Sequence, residues 1–199
     1  MSIRRQTGDT IIEVMLAVVV FALVSVMSIS IMNHGIATSQ RSLEITQVRS
    51  QMDAQVNAIR YQHQLHVAEH NDVEWNKMTI AHAQAKASTF GQITGSTCPA
   101  FTADQKPFIV NARTAKVWAN TPTVNPPAGG TLPPYSQVLY QPSGAVSQAY
   151  GIWVEAVPRA EAAGVAGFVD FHIRACWRAA GSSAPATLGT IVRLYEPLD

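Results

Sequence analysis

The distribution of apolar positions divides this chain sharply. Between residues 14 and 40 there is no Asp, Glu, Lys or Arg, and residues 14–32 are apolar apart from Ser25, Ser28 and Ser30. Nineteen residues of helix rise roughly 28 Å, close to the ~30 Å hydrocarbon core of a bilayer. No later stretch approaches that length without charge, so the pattern predicts one membrane segment followed by a water-soluble remainder. Past Met32 the helical pattern continues but becomes one-sided: Ile45, Val48, Met52, Val56 and Ile59 recur at spacings of three and four, a single apolar stripe that needs a partner surface. Arg49, Ser50, Gln51, Asp53, Gln55 and Arg60 lie between them as the solvated face. The first proline of the chain is Pro99, so the spacing predicts one continuous helix over residues 10–68, roughly 90 Å long at 1.5 Å per residue.

The pattern then changes period. Residues 70–77 are expected to break the long helix, and residues 75–87 to form a short second one. Residues 88–147 are rich in Gly, Pro, Ser and Thr, with Pro122, Pro126, Pro127, Pro133, Pro134 and Gly129-Gly130 marking an irregular middle. Within that stretch, residues 107–118 read as two short strands around a turn at 111–114. Three stronger strands close the chain, at 150–157, 167–177 and 188–195. In the second, Val169, Phe171, Ile173 and Ala175 alternate with Asp170, His172, Arg174 and Cys176, one apolar face and one mixed face of an antiparallel sheet. The apolar stripe of the long helix is its expected cover. The predicted fold class is α+β, a long N-terminal helix packed by its second half on a small antiparallel sheet.

Composition excludes more than it adds. Fourteen Lys plus Arg against 13 Asp plus Glu leave a net charge of +1, so no nucleic-acid surface is indicated. Arg4 and Arg5 precede the apolar run; the positive-inside tendency places the N-terminus in the cytoplasm and the bulk of the chain outside. The two cysteines, Cys98 and Cys176, then fall in an oxidising compartment and read as one structural disulfide, against the alternative of two buried thiols. Such a bridge contributes on the order of 4 kcal/mol. Phosphate-cradling Gly motifs, Cys-x-x-Cys, His-Glu-x-x-His and Gly-x-Ser-x-Gly do not occur, so no catalytic residue and no cofactor are assigned. His63, His66 and His70 share one helix face, yet a helix C-terminus favours histidine through its dipole and no fourth ligand is evident, so no metal is assigned either. Trp75, Trp118, Trp153 and Trp177 read as aromatic core.

The extreme N-terminus carries the most specific signal. Residues 1–8 are short, basic and polar, and Asp9-Thr10-Ile11-Ile12-Glu13 leads directly into the apolar run. A secretory signal places its cleavage site after the apolar region; the boundary at Gly8 lies before it, so cutting there leaves the anchor on the mature chain. Glu13 is a carboxylate at the edge of a membrane helix, where an acid costs roughly 2.5–3.5 kcal/mol at the centre and less towards the interface. It is either a boundary residue reaching back to headgroups or a functional group.

These residues resemble the type IV prepilin family, which includes pilins and the pseudopilins of type II secretion. The resemblance rests on Gly8, on Thr10, Ile11 and Ile12, on Glu13 as fifth residue after the cut, and on the uncharged helix that follows. It implies cleavage between Gly8 and Asp9 by a prepilin peptidase, N-methylation of the new terminus, and pairing of Glu13 with the terminal amine of a neighbouring subunit. Asp9 stands where most members carry Phe and would compete with Glu13 for that amine. No Gly or Pro interrupts residues 10–33, which leans towards a minor pilin or pseudopilin.

The expected organisation is a leader at 1–8, a membrane and filament-core helix at 9–32, its amphipathic continuation at 33–69, and a head at 70–199 with an irregular loop near 120–135. Expected partners are the peptidase, other subunits, an assembly platform and the bilayer. The competing reading is a single-pass anchored binding or sensor domain that keeps its N-terminus.

Overall fold

The computed structural model describes residues 11–68, 72–80, 87, 97–99, 101, 105–118, 135–161 and 166–197. The predicted leader 1–8, Asp9, His70 and nearly all of the loop near 120–135 lie outside them. The chain divides into two compact units, Met1–Gln40 and Arg41–Asp199. Helix α1 spans Ile11–Val67, within a residue of expectation at each end, because nothing in that stretch removes a backbone donor or forces a left-handed turn.

In the second unit α1 presents Val48, Met52, Val56, Ala58 and Ile59 to the core. The buried stripe differs from the expected one at its edges. Glu44 is buried where Ile45 was expected, Ile45 being 38% exposed; Gln55 is buried where the pattern put solvent, and Gln62 is buried as well. Two of these polar groups have distant partners: Trp177 Nε1 donates to Glu44 Oε2 at 3.2 Å, and Gln62 Nε2 donates to the Ala115 carbonyl at 2.7 Å.

Helix α2, Val73–Thr79, starts earlier than expected. It takes up part of the segment read as a break, because Trp75 and Met78 are both fully buried in the core and hold that turn against it. Strands β1 (Ile109–Val110) and β2 (Val117–Trp118) pair antiparallel about the predicted turn. There Asn111 Oδ1 accepts from the amides of Arg113 (2.9 Å) and Thr114 (3.3 Å), the side chain standing in for a backbone turn. Phe108, just before β1, bridges Val154 through both backbone bonds.

Strands β3 (Gln137–Tyr140) and β4 (Val146–Tyr150) form a hairpin at the end of the stretch 88–147 and just past it, where the pattern predicted no hairpin. Gly151 then turns the chain into the main sheet. Its φ is +70°, and a Cβ there would sit 2.2 Å from the Cys176 carbonyl oxygen, so only glycine fits.

The main sheet is β5 (Ile152–Arg159), β6 (Phe168–Trp177) and β7 (Ala186–Tyr195), antiparallel in the order β5-β6-β7. Strand β5 begins and ends two residues later than expected and includes Pro158, tolerated on a strand at the sheet's margin. Val169, Phe171, Ile173 and Ala175 of β6 join the helix residues in the core, the predicted cover. The other face is mixed only towards the start of β6; Arg174 and Cys176 towards its end are buried too. Trp153 of that second face is met edge-on by Phe101, ring centroids 5.2 Å apart. The architecture is therefore α+β, a long helix with small antiparallel sheets.

Candidate functional site

The first half of α1 is the part of the chain whose chemistry its own fold does not satisfy. Its most apolar 18-residue window has a mean hydropathy of 2.8 and is 0% buried. Ile11, Phe21 and Ile31 are each more than 70% exposed. By length and composition this is a helix able to cross a membrane. Its polar side chains are neutralised locally: Ser25 Oγ donates to the Phe21 carbonyl and Ser28 Oγ to that of Val24, both at 2.8 Å. These backbone bonds let a hydroxyl sit in apolar surroundings without an unmet donor.

Glu13 stands in the first turn of this helix and is exposed. A carboxylate there complements the positive end of the helix dipole. A shallow strip lined by Leu16, Ala17, Val20, Phe21 and Val24 leads up to it. One anionic group thus caps an otherwise apolar surface, an arrangement suited to a single positive partner arriving in low dielectric. Gly8 and Asp9, the predicted cleavage pair, precede the described residues.

Cys98 and Cys176 are joined, with Cα atoms 5.7 Å apart and 78 residues between them in sequence. The bridge ties the segment carrying Phe101 to the last turn-side residues of β6. Beneath that second face lies a buried polar group the sequence did not single out. Glu155 is 0% exposed; Trp153 Nε1 donates to its Oε1 at 2.7 Å, and Arg174 Nε stands 3.5 Å from its Oε2. Neighbouring His172 is pushed below its ordinary value, by burial first and then by the Arg174 charge.

His63 and His66, the members of the histidine row among the described residues, take separate partners. His63 Nε2 meets the Tyr195 carbonyl at 2.9 Å. His66 meets Asp72 through Nδ1 and Glu196 through Nε2, so its two ring nitrogens are taken up by carboxylates. Among the described residues no group of three or more His, Cys, Asp or Glu is placed to hold a metal. Trp75 and Trp153 are fully buried core, Trp177 nearly so, and Trp118 is half-buried.

Glu74 was missed at the sequence level because its burial depends on a distant segment, that of Val117. It is buried, accepting from Lys77 Nζ at 2.6 Å and from the Val117 amide at 2.7 Å. Burial alone would raise its carboxyl, but these two donors outweigh it and hold it below the ordinary range.

No protein family, curated protein or solved structure matches this chain.

Proposed function

We propose that this chain is a prepilin-type filament subunit, cleaved after Gly8, anchored by the first half of α1 and assembled by packing that half against neighbouring subunits. The observation that carries the reading is the pairing of an uncharged, wholly exposed helical run with a single carboxylate, Glu13, in its first turn. A helix that is apolar all round and covered by nothing of its own belongs in lipid or among copies of itself. Cleavage at Gly8 would leave an amine four residues before Glu13. An ammonium and a carboxylate are each costly in an apolar medium and recover much of that cost together, which makes the pair a register device between subunits.

The head supports the same reading. A long helix whose second half forms one layer of a domain, with an antiparallel sheet as the other, is the arrangement that the resemblance to pilins implies. In this reading the N-terminus faces the cytoplasm and the disulfide-bonded head lies outside. The subunit has a structural role and works with a prepilin peptidase and an assembly platform; the unbroken apolar segment supports a minor pilin or pseudopilin over a major pilin.

Amino-terminal sequencing of the membrane-extracted chain tests the processing step: a start at Asp9 is expected, and an intact Met1 would favour an anchored binding or sensor domain. Replacing Glu13 with Ala is expected to leave cleavage and membrane retention intact while filament yield falls at least tenfold. Normal filaments from Glu13→Ala would sink the pairing argument.

A further inference from the structure

Near the end of α1 the His66 ring reaches two carboxylates, those of Asp72 and Glu196. We propose that His66 is a pH-operated clasp, a doubly protonated ring held between Asp72 and Glu196 that fastens α1 to the end of β7 and lets go as the surroundings become alkaline.

The geometry asks for two ring protons. His66 Nδ1 lies 2.7 Å from Asp72 Oδ1, and Nε2 lies 2.9 Å from Glu196 Oε2. A neutral imidazole has a single N–H. It would donate to one carboxylate and set a lone pair against the oxygen of the other at less than 3 Å. The imidazolium turns both contacts into charge-assisted hydrogen bonds. Its surroundings suit a cation further: the ring stacks on Trp75, centroids 5.4 Å apart and planes 18° from parallel. Trp75 Nε1 in turn donates to Glu196 Oε1 at 3.2 Å and holds that carboxylate in place.

The groups facing His66 come from every element around it. From α1 itself there is His63, one turn back, whose ring also packs on Trp75 at 5.0 Å. His63 Nε2 meets a carbonyl, that of Tyr195, so its Nε2–H tautomer suffices there and needs no charge. Ahead of α2 stands Asp72, and past β7 stands Glu196. Two carboxylates thus face one ring. Burial works against charging it, but the hydrogen bonds and charges of Asp72 and Glu196 outweigh burial, so its proton affinity lies above the ordinary 6.5. The sign follows. A group whose folded value is raised stabilises fully below its unfolded value, about 6.5, and loses that contribution as pH climbs through the folded value.

The clasp joins positions up to 130 apart in sequence: the last turn of α1, the residue preceding α2, and the residue following β7. Opening it removes the His66 contacts to Asp72 and Glu196, while the His63 bond to the Tyr195 carbonyl and the hydrophobic core stay in place. The device is independent of the filament reading, and so is its test.

The test uses the full-length chain in detergent micelles with ring-labelled histidine, following the ring nitrogens and the Trp75 indole N–H by NMR across pH. His66→Gln identifies the His66 signals by their loss. Should that variant not fold, the one ring displaced by both Asp72→Asn and Glu196→Gln identifies them instead. At pH 6.5 both His66 nitrogens are expected to be protonated, with a midpoint above that value. Asp72→Asn and Glu196→Gln are each expected to lower the midpoint. The Trp75 indole signal is expected to move with the same midpoint in the wild type. A His66 midpoint at or below 6.5, or a Trp75 signal that ignores the titration, would overturn the proposal and leave the filament reading untouched.

Discussion

The two halves of α1 obey the same backbone geometry and opposite surface rules. Residues 11–40 carry no charge after Glu13 and bury almost nothing. Beyond Arg41 the same helix alternates exposed charge with Val48 and Ile59, both 0% exposed. Helix formation therefore does not distinguish them; what distinguishes them is who supplies the partner. The second half finds it within its own chain, in β5 and β6. The first half buries almost none of its apolar surface, and by length and composition it is able to cross a membrane. Substitutions should accordingly act on one property in one half and on a different property in the other.

The largest expected effect is confined to the head. Replacing Cys98 and Cys176 with Ser opens a covalent link that spans 78 residues, and the cost is roughly 4 kcal/mol of head stability. Denaturant melting followed by tryptophan fluorescence measures it, and carbonate extraction of membranes measures retention, which should not change. A double variant that also leaves the membrane would break the separation between the halves.

A slightly smaller effect sharpens it. Ile59→Ala removes a fully buried side chain and should cost about 3 kcal/mol by lost burial and residual cavity. Val20→Ala, at a position 52% exposed, should leave the melting midpoint within roughly 0.5 kcal/mol of wild type. Comparable losses from both would mean that the first half is also held by the head.

Features with local causes were legible in the sequence. The bounds of α1 followed from the absence of Pro, the β1–β2 turn from Asn111, and the three closing strands from their alternation. Glu13 stood out for the same reason, since a carboxylate beside nineteen uncharged residues is conspicuous without any structure. The cysteine pair needed only the count of two. Features set by distant partners were not legible. Glu44 is a core residue because Trp177, 133 positions away, donates to it. Gln62 is buried against the Ala115 carbonyl. The β3–β4 hairpin is short and half exposed, so its strands lack the strong alternation that betrays a buried one. The histidine row was weighed as a possible ligand set; the partners of His66 within it are Asp72 and Glu196, where no spacing rule points.

The smallest expected effect concerns pH and sets the two ends of the head's sheet against each other. His172, on the second face of β6, is half-buried, and burial followed by the Arg174 charge pulls its proton affinity down, with Glu155 and Asp170 only partly opposing. The folded state therefore holds it neutral, whereas the unfolded chain protonates it near pH 6.5. Its contribution is present above that value and is lost as pH falls below it, the reverse of His66. The carboxylates Glu74 and Asp170 are held low by their donors and lose their contributions only further down, below about pH 4.5. Among the described residues His172 is the group whose lowered proton affinity removes stability between these limits, so His172→Gln should flatten the decline in Tm between pH 6.5 and 5 by a few degrees. Its behaviour above pH 7 should match the wild type, because His66 governs that side. A variant that still loses stability on mild acidification would move the acid sensitivity to another group.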